Sequence, residues 1–162
     1  MSNCYTQFSF AVKTTDEEHA FLETAHNMCV GSESMLGREM MVKTDGKGNI
    51  IGFDTERTEG LTIGELNFAR TTDGSATIIY ADENGDIEYT CALLQVCLEA
   101  FNCDTIVSFE WADTCSASLP DQFGGGACAV SKDAIEIYST QTARDELIKI
   151  LSNRLEKERS PS

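Results

Sequence analysis

The chain has 162 residues, of which 41% are hydrophobic, with a formal net charge of -15 and a pI of about 4.3. Its length predicts one domain over residues 1–157, with a core large enough to fold without a metal or a disulfide, followed by a disordered tail at 158–162. The acidity argues against direct binding to nucleic acid or anionic lipid, and no apolar run reaches the roughly 20 residues that span a bilayer.

The first two elements are a strand and a helix. Residues 4–13 alternate apolar and polar side chains, which predicts a strand with one buried face. Thr15 and Glu18 have the spacing of a capping box. A helix is therefore predicted over residues 15–30, ended by Gly31.

The middle of the chain predicts strands separated by turns. Segments "MMVK" and "IIGF" flank the turn "TDGKGN", and strands at 64–70 and 75–81 flank the turn "TTDG" as a hairpin. A second helix is predicted over residues 87–102, with Asp86 as its N-cap.

The last third predicts a strand at 105–112, a further strand starting at "GACAV" and extended by "AIEIYS" after the turn "SKD", and a helix over 141–157. The apolar residues of that helix recur at helical spacing, so we expect them to face the core. They are Ala143, Leu147, Ile148, Leu151 and Leu155.

The order of these elements is strand, helix, hairpin, helix, strand, with an added strand and a final helix. This order predicts an α+β fold with a ferredoxin-like (split βαβ) antiparallel sheet, extended by an extra strand and the C-terminal helix.

The seven cysteines follow no disulfide spacing, and Cys29, Cys91, Cys97 and Cys128 lie in apolar surroundings. We expect all seven to be reduced. The N-terminus also lacks the pattern of a signal peptide. Together these features predict a cytoplasmic protein.

His19, Glu23 and His26 are spaced to share one face of the first helix, where they could hold a divalent metal ion. That face is predicted to be exposed, opposite the apolar stripe, and it offers no fourth ligand. The sequence therefore favours a solvated helix face, no metal and no cofactor. A small metal-binding or enzymatic domain that uses these three residues remains the alternative.

Three consecutive glycines, Gly124, Gly125 and Gly126, precede a strand rather than a helix, so they do not form a phosphate-binding loop. The pattern favours a structural role: a positive φ, or close approach of a backbone or an aromatic ring. Trp111 and Phe123 are the aromatic residues close enough in sequence to supply such a ring.

The segment "SFEWADTCSASLPDQFGGGACAV" resembles part of a group of small uncharacterised proteins carried by phages, plasmids and integrated elements. The shared features are A-x-T-C-S, here starting at Ala112, and F-G-G-G-A, here starting at Phe123. Where that group has a basic or proline-rich insert, this chain has "ASLP". The resemblance implies an origin in a mobile element, but no active site.

Between Arg70 and Lys132 the chain has ten acidic residues and neither lysine nor arginine. This pattern predicts a non-enzymatic protein that binds a host protein with a basic surface, as an inhibitor of a nucleic-acid-binding defence protein of the anti-restriction or anti-CRISPR type that mimics nucleic acid. A structural or regulatory module whose acidity serves only solubility is an alternative, and the oligomeric state stays open. The candidate contact residues are Asp82, Glu83, Asp86, Glu88, Glu99, Glu110 and Asp113.

Overall fold

A computed structural model describes residues 4–115 and 124–159, which form an α+β fold. Most predicted elements are present within a few residues of their expected bounds. The strands are β1 (Cys4–Lys13), β2 (Met41–Thr44), β3 (Ile50–Asp54), β4 (Asn67–Arg70), β5 (Ala76–Ala81), β6 (Val107–Cys115), β7 (Gly124–Val130) and β8 (Ile135–Ser139). The helices are α1 (Asp16–Leu36), α2 (Thr55–Thr58), α3 (Ile87–Ala100) and α4 (Thr140–Arg159).

Six strands form one antiparallel sheet in the order β4-β5-β1-β6-β7-β8, while β2 and β3 form a separate hairpin. Strand β1 lies at the centre of the six, paired with β5 on one side and β6 on the other. The predicted β4–β5 hairpin is confirmed. The segments "GACAV" and "AIEIYS" pair as two strands, β7 and β8, rather than forming one extended strand.

The core lies between one face of the sheet and helices α1 and α3. Leu22 of α1 and Leu93 of α3 are almost completely buried, as are Ile79 of β5 and Val130 of β7. Burial of one such side chain contributes about 1.5–3 kcal/mol. The alternation of β1 follows from this arrangement, because Phe8 faces the core while Ser9 is exposed on the opposite, open face of the sheet.

Both predicted helix starts are capped as expected. Glu18 N–H donates to Thr15 Oγ1 at 3.1 Å, and Thr15 N–H donates to Glu18 Oε1 at 2.9 Å. Tyr89 N–H donates to Asp86 Oδ1 at 2.8 Å at the start of α3. Each cap satisfies amide groups that have no partner within the helix.

The prediction that α1 ends at Gly31 is wrong. The helix continues to Leu36 and ends at Gly37, which has a φ of 78°. The extra turn is held by Ser32, whose buried hydroxyl donates to Cys29 C=O at 2.6 Å and accepts from Met40 N–H at 2.8 Å. This pair of hydrogen bonds offsets the low helix propensity of Gly31.

The prediction that α4 buries its apolar residues is also wrong. None of its residues is buried. The core-forming face of the sheet is already covered by α1 and α3, and the main contacts of α4 with the domain are those to β7 and β8. The apolar residues that were expected to face inward are Ala143, Leu147, Ile148, Leu151 and Leu155.

The prediction that all seven cysteines are reduced is contradicted by a disulfide between Cys4 and Cys115. These residues face each other at the start of β1 and the end of β6, with their Cα atoms 4.0 Å apart. Their separation of 111 residues hides this pairing from the sequence. The other cysteines are free thiols, and Cys29, Cys91, Cys97 and Cys128 are buried as expected.

Candidate functional site

Acidic residues gather at one end of the sheet, where β5 and β6 end and β1 begins. We call this end of the molecule the acidic pole. The other end of the sheet also carries acids, but basic residues pair with some of them there: Arg70 with Asp16 and Lys132 with Asp104. A strand of ten residues separates the two ends by about 30 Å. The acidic pole comprises Glu65, Asp82, Glu83, Asp86, Glu88 and Asp113.

Glu65 organises the loop of the acidic pole. Its carboxylate accepts hydrogen bonds from the backbone N–H groups of Asp82 at 3.1 Å, Glu83 at 3.0 Å and Asn84 at 3.0 Å. The Glu65 N–H in turn donates to Asn84 C=O at 2.8 Å. The amide hydrogen bonds, led by that from Asn84, lower the pKa of Glu65 to about 2. Glu65 therefore stays ionised and fixes the loop that carries Asp82 and Glu83.

Asp86 and Glu88 lie at the N-terminus of α3. Asp86 is half-buried because its carboxylate caps the helix, whereas Glu88 is exposed in the first turn. Negative charge is favourable here, because the helix dipole presents partial positive charge at this end. The fold thus stabilises an acidic cluster that would otherwise be weakened by mutual repulsion.

Asp113 joins this cluster through Thr6. Thr6 Oγ1 donates to Asp113 Oδ1 at 2.9 Å, and Thr6 N–H donates to Glu83 C=O at 3.0 Å. Trp111 Nε1 also donates to Asp113 at 3.3 Å. Asp113 is therefore part of the hydrogen-bonded framework of the acidic pole, close to the Cys4–Cys115 disulfide.

Asp82, Glu83 and Glu88 are the residues of the acidic pole that are free to meet a partner. All three are exposed. Within residues 4–115 and 124–159, their carboxylates form neither ion pairs nor hydrogen bonds. Their charge is available to a cationic surface, while Glu65, Asp86 and Asp113 hold the backbone that presents them.

Two of the candidate contact residues lie elsewhere. Glu99 is near the far end of α3, where it forms an ion pair with Arg57. Glu110 is in the middle of β6, on the open face of the sheet, whereas Asp113 is on the face that carries the helices. The structure therefore does not bring Glu88, Glu99, Glu110 and Asp113 into one row.

The exposed histidine face predicted for α1 is confirmed only for Glu23, whose side chain is 50% exposed. His19 is only 15% exposed; it contacts Glu23 at 2.7 Å through Nε2 and Thr77 at 2.9 Å through Nδ1. His26 turns to a different partner, Tyr89, with Nδ1 2.7 Å from the hydroxyl. Burial lowers the pKa of His26. Among the described residues no group of three or more potential ligands could hold a metal ion.

The glycine segment lies against Trp111. Gly125 has a φ of 149°, and a Cβ there would collide with the backbone oxygen of Trp111. A Cβ at Gly126 would lie 2.5 Å from Cη2 of the Trp111 ring and would also meet the Tyr138 carbonyl. Gly124 is less crowded, with Thr140 Oγ1 3.4 Å from its Cβ position. Phe123, the other ring expected here, lies outside the described residues.

A cavity of about 450 Å³ opens where α1 and α3 meet the far end of the sheet. Its lining includes Leu22 and Leu94, together with Cys97 and Cys103. Burial raises the pKa of Cys97 to about 12, and burial together with the Glu18 carboxylate raises the pKa of Cys103. These thiols are protonated near neutral pH and are weak nucleophiles.

Comparison of the chain with protein-family models, curated proteins and solved structures finds no match. Within the described residues, no helix has both the length and the apolar character that crossing a membrane requires. The arguments for function therefore rest on the acidic pole itself.

Proposed function

We propose that this protein is a non-enzymatic inhibitor that occupies the basic groove of a nucleic-acid-binding protein, with the acidic pole as its contact surface. The observation that carries the proposal is the set of exposed, unpaired carboxylates of Asp82, Glu83 and Glu88 on a framework that is itself built from carboxylates. Glu65 belongs to this framework, although the sequence did not single it out.

The chemistry of a basic groove supports this assignment. Double-stranded DNA presents one negative charge per about 1.7 Å of axis, so a mimic has to hold several carboxylates side by side. The acidic pole carries its exposed carboxylates on two adjacent loop residues, Asp82 and Glu83, and on Glu88 in the first turn of α3. Preorganisation by Glu65 and Asp86 reduces the entropy lost on binding.

The proposed context is the cytoplasm of a host cell invaded by a mobile element. The A-x-T-C-S and F-G-G-G-A segments support that origin, and the target class is then a restriction or CRISPR effector. Buried free thiols suit a reducing compartment. Cys4 is exposed, so cellular thiols would reach its disulfide with Cys115 and reduce it there.

We also infer a ferredoxin-like core. The path β1–α1–β4–β5–α3–β6 and the order β4-β5-β1-β6, with each neighbouring pair antiparallel, support it. In this interpretation the β2–β3 hairpin is an insertion between α1 and β4, and β7, β8 and α4 extend the core at its C-terminal end.

The test is the efficiency with which a phage plates on hosts that express single restriction or CRISPR systems. The protein should raise plating on the host with the sensitive system. The combined change Asp82→Lys, Glu83→Lys and Glu88→Lys should abolish this protection while the fold is retained. Asp86 is left intact because it caps α3.

A matched control carries the same change in net charge at exposed sites away from the acidic pole: Glu56→Lys, Asp133→Lys and Glu136→Lys. It should protect as well as the unchanged protein. Equal loss of protection in both triple variants would show that net charge alone acts, and equal protection by both would contradict a contact at the acidic pole.

A further inference from the structure

Helix α4 is an amphipathic helix whose apolar face has no partner within the described residues. It has 20 residues, a length of about 30 Å. The side-chain hydrogen bonds that join α4 to β8 involve its N-terminal part. Glu146 accepts a hydrogen bond from Tyr138, and the hydroxyl groups of Ser139 and Thr142 are in contact. The large apolar side chains beyond that point are 48–60% exposed: Leu147, Ile148, Ile150, Leu151 and Leu155.

These side chains share one side of the helix. At roughly 100° per residue, Ala143 and the five large residues fall within an arc of about 160°. Most helical stability in proteins comes from packing such a face against another element. The exposed arc therefore indicates that α4 packs against a surface other than residues 4–115 and 124–159 of the same chain.

The charges on α4 favour a second copy of this chain. The helix carries five basic and four acidic residues, in a protein whose net charge is -15. Two copies repel each other least where they meet through this nearly neutral segment. If two copies met through any other, strongly acidic surface of the chain, the repulsion between them would oppose dimer formation.

The order of the charges favours an antiparallel pair. If two α4 helices cross at Leu151, Leu147 of one copy lies beside Leu155 of the other, and Arg144 lies beside Glu158. A parallel pair in register would instead place each charged residue beside the identical residue of the second copy. In the antiparallel arrangement Asp145 also lies level with Lys157, of opposite charge, and the one like-charge pair is Glu146 with Glu156.

We propose that α4 is a homodimerisation helix, whose apolar face is covered by α4 of a second copy in antiparallel orientation. The pair would bury roughly 1,000 Å² in total, at the lower end of specific interfaces, which corresponds to a reversible dimer. The acidic poles, each near the start of its own α4, would then lie on opposite sides of the helix pair. A dimer would therefore present two contact surfaces.

Sedimentation equilibrium of the full chain under reducing conditions tests this proposal, at concentrations up to about 100 μM to suit a small interface. The unchanged protein should form dimers. Leu147→Glu combined with Leu151→Glu should weaken the dimer by more than about tenfold, because two buried apolar groups per copy are lost. The control, Ser152→Glu with Asn153→Glu, adds the same charge on the polar face and should remain dimeric. Circular dichroism should show both variants folded.

A charge exchange tests the orientation. Arg144→Glu alone and Glu158→Arg alone should each weaken the dimer about three- to tenfold, and the double exchange should restore it. A monomeric unchanged protein would overturn the proposal, as would a dimer that survives the leucine changes. Failure of the double exchange to restore affinity would overturn the antiparallel arrangement. Binding of the monomer to phosphatidylglycerol vesicles through α4 would identify a membrane as the occupant and also refute the dimer.

Discussion

Gly126→Ala tests the explanation of the three glycines. The added Cβ would lie 2.5 Å from the Trp111 ring and would press on the Tyr138 carbonyl, a backbone atom of the neighbouring strand. The ring can move by a few tenths of an ångström, but β8 cannot do so without disturbing its hydrogen bonds to β7. Overpacking of this kind costs about 1–3 kcal/mol. For a domain of this size, this cost lowers the melting temperature by about 2–4 °C per kcal/mol.

Gly124→Ala is the matched control, because its Cβ would make only an ordinary contact of 3.4 Å with Thr140 Oγ1. Its stability should stay within about 0.5 kcal/mol of the unchanged protein. Urea unfolding followed by far-UV circular dichroism gives both free energies. In a Trp111→Ala background the cost of Gly126→Ala should fall, since the ring is gone while the Tyr138 carbonyl remains. Equal stability of the Gly124 and Gly126 variants would refute this reasoning.

Three further changes test other parts of the structure. Glu65→Gln should destabilise the protein near neutral pH, and its effect should disappear as the pH falls from about 4.5 to about 2, because the folded protein lowers this pKa to about 2 from 4.5; a difference in unfolding free energy that does not depend on pH would contradict the role of Glu65. Cys4→Ser with Cys115→Ser should cost about 2–4 kcal/mol in the oxidised protein, since the disulfide closes a loop between residues 111 positions apart; thermal melts with no change on reduction would be inconsistent with this bond. Tyr89→Phe should cost about 1–2 kcal/mol because it leaves His26 Nδ1 without its hydroxyl partner, whereas unchanged urea midpoints would show that water replaces the hydroxyl.

The elements that the sequence predicts well are those whose signals are local. The capping box at Thr15 and the N-cap at Asp86 fix helix starts through side chains within three residues, and both are confirmed. The β4–β5 hairpin follows from a turn between two apolar runs. Such features need no knowledge of distant parts of the chain.

The predictions that are wrong depend on distant contacts. Gly31 alone favours the end of a helix. The helix continues because Ser32 Oγ accepts a hydrogen bond from Met40 N–H, which lies beyond the end of α1. The Cys4–Cys115 disulfide requires the register of β1 against β6. An amphipathic α4 predicts that an apolar face will be covered, but the periodicity does not say whether the cover comes from the same chain.

The candidate site was predictable only in part. The run of acids between Arg70 and Lys132 directs attention to Asp82, Glu83 and Glu88, which share the acidic pole. It does not distinguish Glu110, on the open sheet face, or Glu99, which pairs with Arg57. Glu65 lies outside that run, and its role follows only from the loop that folds over its carboxylate.

The most direct test of the proposed function is displacement of labelled duplex DNA from the effector whose activity the protein inhibits, followed by fluorescence anisotropy. The unchanged protein should displace the DNA, and its own binding to the effector, measured without DNA, should weaken as salt is added, because the contact is between opposite charges. The triple variant at Asp82, Glu83 and Glu88 should fail to displace DNA, while the control at Glu56, Asp133 and Glu136 should succeed. Displacement by the triple variant at the same concentration as the unchanged protein would contradict the assignment of the acidic pole as the contact surface.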